Sequence, residues 1–209
     1  MEEWLEIRYG NWPLTILYIL MLSVFVFGVL RPRTKIEWRS AGVAQAFVMA
    51  LYAEMYGLPL TMYVLSWWTG KAVWHEEHFR GHAWSYLMGW GESAAIALDV
   101  IGQCIIVIGA ILAMLGWRQV HQAQGKMVNT GLYRRIRHPQ YTGFILFLTG
   151  SLINWPTLPT LIMYPILIWV YYRLARREEI ETQERCGTDY SKYRDQTGMF
   201  FPRLSKSIN

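Results

Sequence analysis

The chain has 209 residues, of which 53% are hydrophobic, 15% aromatic and only 17% charged, and its formal charge is +5. That balance is too apolar for an ordinary soluble domain and places the chain in the membrane class before any motif is read. Nucleic acid is set aside as the partner behind the positive charge, because most basic residues sit beside long apolar runs, where the positive-inside rule expects them.

The first apolar run, residues 13–30, carries no charge and has about the ~20 residues needed to cross a bilayer. The stretch before it is acidic where a secretory signal would be basic, and no small-residue cleavage site follows, so the run is expected to be retained. Arg31, Arg33, Lys35 and Arg39 close it and belong in the cytoplasm, which leaves the N-terminus outside. The second run, 41–68, carries Glu54 and Pro59 in its middle, so a tilt or kink is expected there. A carboxylate in a membrane helix is a functional candidate by default. A structural hydrogen bond to a neighbouring helix is an equally good reading of Glu54.

Residues 69–92 form a loop rich in tryptophan and histidine. His75, His78 and His82 with Glu76 and Glu77 can be read as metal ligands, since His78 and His82 share a helical face. The order is not H-E-x-x-H, and an interfacial segment with tryptophans at headgroup depth accounts for the loop better, so no metal is expected. The third run, 93–117, holds Asp99 near its outer end, and Gly102, Gly109 and Gly116 recur every seven residues on one face. That spacing lets another helix come close; incidental membrane glycines are an equally good reading.

A polar stretch follows at 129–143, N-T-G-L-Y-R-R-I-R-H-P-Q-Y-T-G. Two short apolar arms, 141–153 and 160–172, flank N-W-P-T-L-P and read as a tight helical hairpin. The charged tail, 173–209, is rich in basic residues and returns the C-terminus to the cytoplasm. The expected architecture is an all-α, polytopic integral membrane protein with about five transmembrane helices. It forms one membrane domain over 1–209, with three N-terminal helices in 1–117 and, in 118–209, a cofactor-binding half that contains the hairpin and the cytoplasmic tail. Cys104 and Cys186 fall in different phases of that topology, so no disulfide is expected.

The polar stretch and the tail meet at the cytoplasmic end of the hairpin. Gly131 permits a positive φ or close backbone approach. Pro139 disfavours α geometry at His138 and suits a first helical position, which puts His138 at a helix entrance with Arg137 beside it and Tyr141 close above. A helix N-terminus with adjacent cations favours a carboxylate or phosphate. Glu178 and Glu179, expected at the end of an arginine-rich helix, add carboxylates for hydroxyls, ammonium or sulfonium; the bland reading of that run is a solvated helix end.

G-L-Y-R-R-I-R-H-P-Q-Y-T-G, a short apolar hairpin, R-R-E-E-I-E-T-Q-E-R-C-G-T-D-Y-S-K-Y-R and a late F-F-P together resemble the C-terminal half of the isoprenylcysteine carboxyl methyltransferase family, which is related in this region to phospholipid methyltransferases. The resemblance covers roughly residues 128–202 and implies S-adenosylmethionine as cofactor, held between the R-H-P-x-Y and E-E regions. It implies that Gly131, Leu132, Tyr133, Arg137, His138, Tyr141, Glu178 and Glu179 bind that cofactor, with His138 on the methionine carboxylate. It also implies a lipophilic acceptor entering from the bilayer and a site facing the cytoplasm. A carboxylate acceptor needs only an arginine to orient it, and Arg173 is the candidate. A thiol, amine or hydroxyl acceptor must lose a proton, and Glu54 or Tyr193 is the candidate base. Two other readings stay open. Membrane sterol reductases using NADPH share a similar R-H-P-x-Y-x-G element, although here Gln140 and Phe144 depart from their pattern and the E-E pair favours the methyltransferase. The third is a non-catalytic membrane protein that keeps the scaffold.

Overall fold

The structure, a computed structural model, describes residues 12–24, 35–54, 60–70, 84, 88–123 and 127–203. The candidate metal set His75, Glu76, Glu77, His78 and His82 lies outside the described residues. The elements in chain order are α1 (Trp12–Val24), α2 (Lys35–Tyr52), α3 (Leu60–Thr69), α4 (Glu92–Gln122), a 3-10 turn (Gly131–Arg134), α5 (Pro139–Asn154) and α6 (Leu158–Gln196). No strand occurs among the described residues, in keeping with the all-α expectation; Ile136 and Gly198 form an isolated parallel bridge.

Among the described residues, two helices, α4 and α6, are long and apolar enough to cross a membrane. The 16 residues of α5 rise only about 24 Å, short of the ~30 Å hydrocarbon core. In the second apolar run, α2 passes into a π turn at 53–54 and α3 begins at Leu60; Pro59, where a kink is expected, lies outside the described residues.

The chain divides into two compact units. One contains Met1–Cys104 and Leu148–Leu167, the other Ile105–Phe147 and Ile168–Asn209. In the first, Glu54 is buried and accepts a hydrogen bond from the Thr61 amide, one of the amides that the first turn of α3 leaves without a helical partner. The turn between α5 and α6 is a reciprocal cap. The Thr160 amide donates to the Thr157 hydroxyl at 3.3 Å and the Thr157 amide to the Thr160 hydroxyl at 3.1 Å. Pro159 sits in the first turn of α6, where its missing amide costs nothing.

In the second unit the glycines of α4 do what their spacing predicts. A Cβ on Gly109 would lie 2.5 Å from the Phe147 nitrogen, and one on Gly116 would lie 2.8 Å from the Gln140 nitrogen, so α4 meets α5 backbone to backbone. Beside this seam aromatic rings stack toward the loop. Phe144 lies parallel to Tyr171 at 5.7 Å, Tyr171 packs on Tyr141 at 5.6 Å, and Tyr141 on His138 at 5.7 Å.

The second arm of the hairpin and the tail are one element. α6 runs from Leu158 to Gln196 and breaks only at Gly187, where φ is 54° and ψ is −122°. Glu178 and Glu179 therefore sit within a long helix, not at its end as the charge run suggests.

Candidate cofactor site

The site belongs entirely to the second unit. α5 begins at Pro139, as the H-P dipeptide predicts, and the His138 carbonyl accepts the Thr142 amide at 3.0 Å. Immediately before it, residues 135–138 pair with 198–199. The Arg137 amide donates to the Gly198 carbonyl at 2.8 Å, and the His138 amide to the Met199 carbonyl at 3.1 Å. Thr142 adds a bond from its hydroxyl to the Phe200 carbonyl at 2.9 Å. This clasp fixes the loop against the end of the chain.

Inside the clasp lies a compact charged cluster. Arg137 Nε donates to Glu179 Oε1 at 2.7 Å, and its Nη1 donates to the carbonyls of Arg194 and Thr197. His138 Nδ1 lies 3.3 Å from Glu178 Oε2 and His138 Nε2 lies 3.5 Å from Glu179 Oε1. Neither contact is aligned as a hydrogen bond, and both ring nitrogens are shut off from solvent. Tyr141 donates from its hydroxyl to Glu178 Oε1 at 2.6 Å.

Burial alone would lower the proton affinity of His138, but the carboxylates of Glu178 and Glu179 against the ring outweigh it and raise its pKa above the ordinary histidine value. Burial likewise pushes the Glu179 carboxyl up, and the His138 ring and Arg137 guanidinium overcome that, holding it at about 2. The cluster thus sets the Arg137 guanidinium and the His138 imidazole against the carboxyl groups of Glu178 and Glu179.

An open cavity of about 740 Å³ adjoins the cluster through Thr197. Its walls are formed by 127–134, including Gly131 and Arg134, and by the last turns of α6, including Asp189, Lys192 and Tyr193. Gly131 has φ of 59°, and a Cβ there would collide with the Gln119 side chain. Burial pushes the Tyr193 hydroxyl up to about 12, and it donates to the Tyr133 carbonyl at 2.7 Å.

Of the residues singled out in the sequence, Arg137, His138, Tyr141, Glu178 and Glu179 come together in the cluster, while Gly131 and Tyr193 line the cavity. Leu132 is half-buried in the 3-10 turn. Tyr133 is buried and turned away into the helix seam, donating from its hydroxyl to Gln140 Oε1 at 2.5 Å. Arg173 is exposed, its guanidinium 5.0 Å from the centre of the Trp169 ring. Glu54 belongs to the other unit, where its carboxylate serves α3. Sequence reasoning passed over Thr142, Thr197 and the 198–200 backbone. The late F-F-P was the one signal for the clasp, and backbone pairing leaves no side-chain pattern to find.

Residues 84–197, more than half of the chain, match a family described as a protein of unknown function, DUF1295. The chain belongs to that family. It is also similar to a methanethiol S-methyltransferase from Pseudomonas sp. (strain GM41(2012)), at 23% identity over 94% of this chain and 77% of that protein. A probable protein-S-isoprenylcysteine O-methyltransferase of Oryza sativa subsp. indica is 22% identical over 47% of this chain and 54% of its own length. The protein-S-isoprenylcysteine O-methyltransferase of Rattus norvegicus is 24% identical over 54% of this chain and 42% of its own length. The chain thus spans about half the length of the plant and rat relatives. All three relatives are named as methyltransferases, and the two matched over part of their length align across about half of this chain.

Proposed function

We propose that this protein is a membrane-embedded, S-adenosylmethionine-dependent methyltransferase that transfers a methyl group to a lipophilic acceptor of the isoprenylcysteine type. The observation that carries this reading is His138. Its ring is buried among two carboxylates and a guanidinium, yet neither nitrogen has an aligned hydrogen-bond partner among the described residues. Buried polar groups in a native fold are normally satisfied, so this donor capacity fits a ligand.

The donor set suits the cofactor. His138 and Arg137 would hold the amino-acid carboxylate, and Glu178 or Glu179 would take the ammonium or a ribose hydroxyl. Glu178 is the more accessible of the two, with its side chain 25% exposed. Gly131 lines the open cavity, and its missing Cβ and positive φ let the loop pack against the Gln119 side chain there. S-adenosylmethionine, when bound, supplies an electrophilic methyl group on a sulfonium sulfur. The chain contributes alignment and preorganised charge, which account for most of the acceleration available to such a displacement. On the acceptor side Arg173 would orient a carboxylate, and Tyr193, which lines the cavity and donates its hydroxyl to the Tyr133 carbonyl, would shape the pocket and not take up a proton.

Lipid surroundings fit the exposed apolar faces of α4 and α6, which include Ile96, Val107, Ile108, Ile162 and Ile166. The proposed topology is five crossings with the N-terminus outside and the site on the cytoplasmic face, in a single membrane domain. The test is titration of the purified protein with S-adenosylmethionine and, separately, NADPH. A labelled-methyl assay then follows on prenylcysteine analogues, phospholipid amines and small thiols. Saturable binding of S-adenosylmethionine and label in one acceptor class are expected. Binding of NADPH alone would replace the reading with a reductase, and cofactor binding without turnover on any acceptor would leave a non-catalytic protein.

A further inference from the structure

The His138 nitrogens present a difficulty that the cofactor reading does not resolve by itself. They are closed off from solvent, so a water-soluble ligand reaches them only if part of the protein moves. The chain lying over them is the end of α6 and the segment after it. Met199 accepts the His138 amide, and the Phe200 ring packs 6.2 Å from the imidazole.

That overlying piece begins at a break. Gly187 has φ of 54° and ψ of −122°, and a Cβ there would touch no atom within 4 Å. Glycine is needed for the backbone conformation and not for space. Across the break lies a small set of exposed bonds. Gln183 Nε2 donates to the Gly187 carbonyl at 2.8 Å, and the Ser191 hydroxyl lies 3.1 Å from Gln183 Oε1 and 3.3 Å from the Gly187 carbonyl. Past the break, Asp189, Lys192, Tyr193 and Thr197 form one wall of the cavity, and 198–200 make the clasp.

We propose that residues 188–200 are a hinged cover that pivots at Gly187, is latched by Gln183 and Ser191, and opens to admit the ligand to His138. The identity of that ligand rests on the function proposed above; the hinge and latch do not. The glycine and two tyrosines of G-T-D-Y-S-K-Y, residues 187, 190 and 193, then have a mechanical meaning. Gly187 is the pivot, Tyr190 is buried and seats the cover, and Tyr193 bonds it to the facing loop at the Tyr133 carbonyl.

Hydrogen exchange on the full-length protein in detergent tests this, read at the amides of Arg137 and His138, whose acceptors are Gly198 and Met199. Ser191→Ala removes Ser191's two bonds of the latch without touching cavity or cluster, and Gly187→Ala strains the pivot. Either change should speed exchange at Arg137 and His138 by about fivefold while α5 amides at 145–150 keep their wild-type rates. Unchanged exchange at those two amides in both variants, or acceleration by the same factor along α5, overturns the cover. Added S-adenosylmethionine should slow the same amides in the wild type. If it has no effect, the cofactor assignment fails, while the ligand-free comparison still decides the cover.

Discussion

Glu54 and Glu179 are both buried acids, and the protein uses them in opposite ways. Glu54 accepts the Thr61 amide at the start of α3, and among the described residues no cation faces it, so its oxygen matters more than its charge. Glu179 lies between the Arg137 guanidinium and the His138 ring, with Arg176 3.3 Å from its second oxygen, and its charge is what the surroundings require. A buried acid in an apolar chain is thus no evidence of a reactive site until its partners are known. One serves a helix end; the other joins the Arg137 guanidinium and the His138 ring in one cluster.

The strongest test of that contrast is removal of Glu179. Glu179→Ala leaves the Arg137 cation buried without its counter-charge, and unfolding free energy should fall by about 3–5 kcal/mol. Denaturant unfolding in detergent measures it. A loss no larger than that of an exposed ion pair would show that Arg137 finds enough support from the carbonyls of Arg194 and Thr197.

His138 gives a smaller effect and a pH signature. His138→Ala should weaken S-adenosylmethionine binding by roughly 1.5–3 kcal/mol if the ring bonds a charged group, read by calorimetric titration. The sign of the pH dependence follows from the two shifts. A histidine whose pKa is raised stabilises the fold fully below its ordinary value of about 6.5 and loses that contribution as pH climbs through the folded value. Glu179, held at about 2, contributes above the usual 4.5 and loses that contribution as pH falls toward 2. Stability should therefore decline at both ends, and His138→Gln should flatten the upper slope while leaving a lower one. An unchanged upper slope would locate that titration elsewhere.

How much of this was visible in the sequence depended on the range of the interaction. The Pro139 start of α5, the N-W-P-T turn and the close-packing glycines are local or periodic signals, and each appears in the structure. So does the meeting of 137–141 with 178–179, because charged residues at the two ends of a short hairpin have few places to go. The continuity of α6 through the charged run was hidden, since a switch from apolar to charged residues ends a membrane-like segment without ending a helix. The clasp of 135–138 with 198–200 was hidden for another reason: it is made by backbone groups, which every residue carries. Glu54 could be read either way from sequence, because its partner is a backbone amide.

Glu54→Gln is the mildest perturbation and bears most directly on the contrast between the two acids. Glutamine keeps a carbonyl oxygen at the same reach, so the Thr61 amide retains an acceptor, and what is lost is only the charge assistance to one hydrogen bond. Stability should change by less than about 1 kcal/mol, and methyl transfer should stay within about twofold of wild type. Glu54→Ala, by contrast, leaves that amide without its partner and should cost about 1–3 kcal/mol of stability, again with little effect on turnover per folded molecule. Normalising activity to the folded fraction separates the two. A large drop in turnover for the glutamine variant, with stability intact, would mean that the negative charge at Glu54 serves the reaction and that the two acids differ less than their partners suggest.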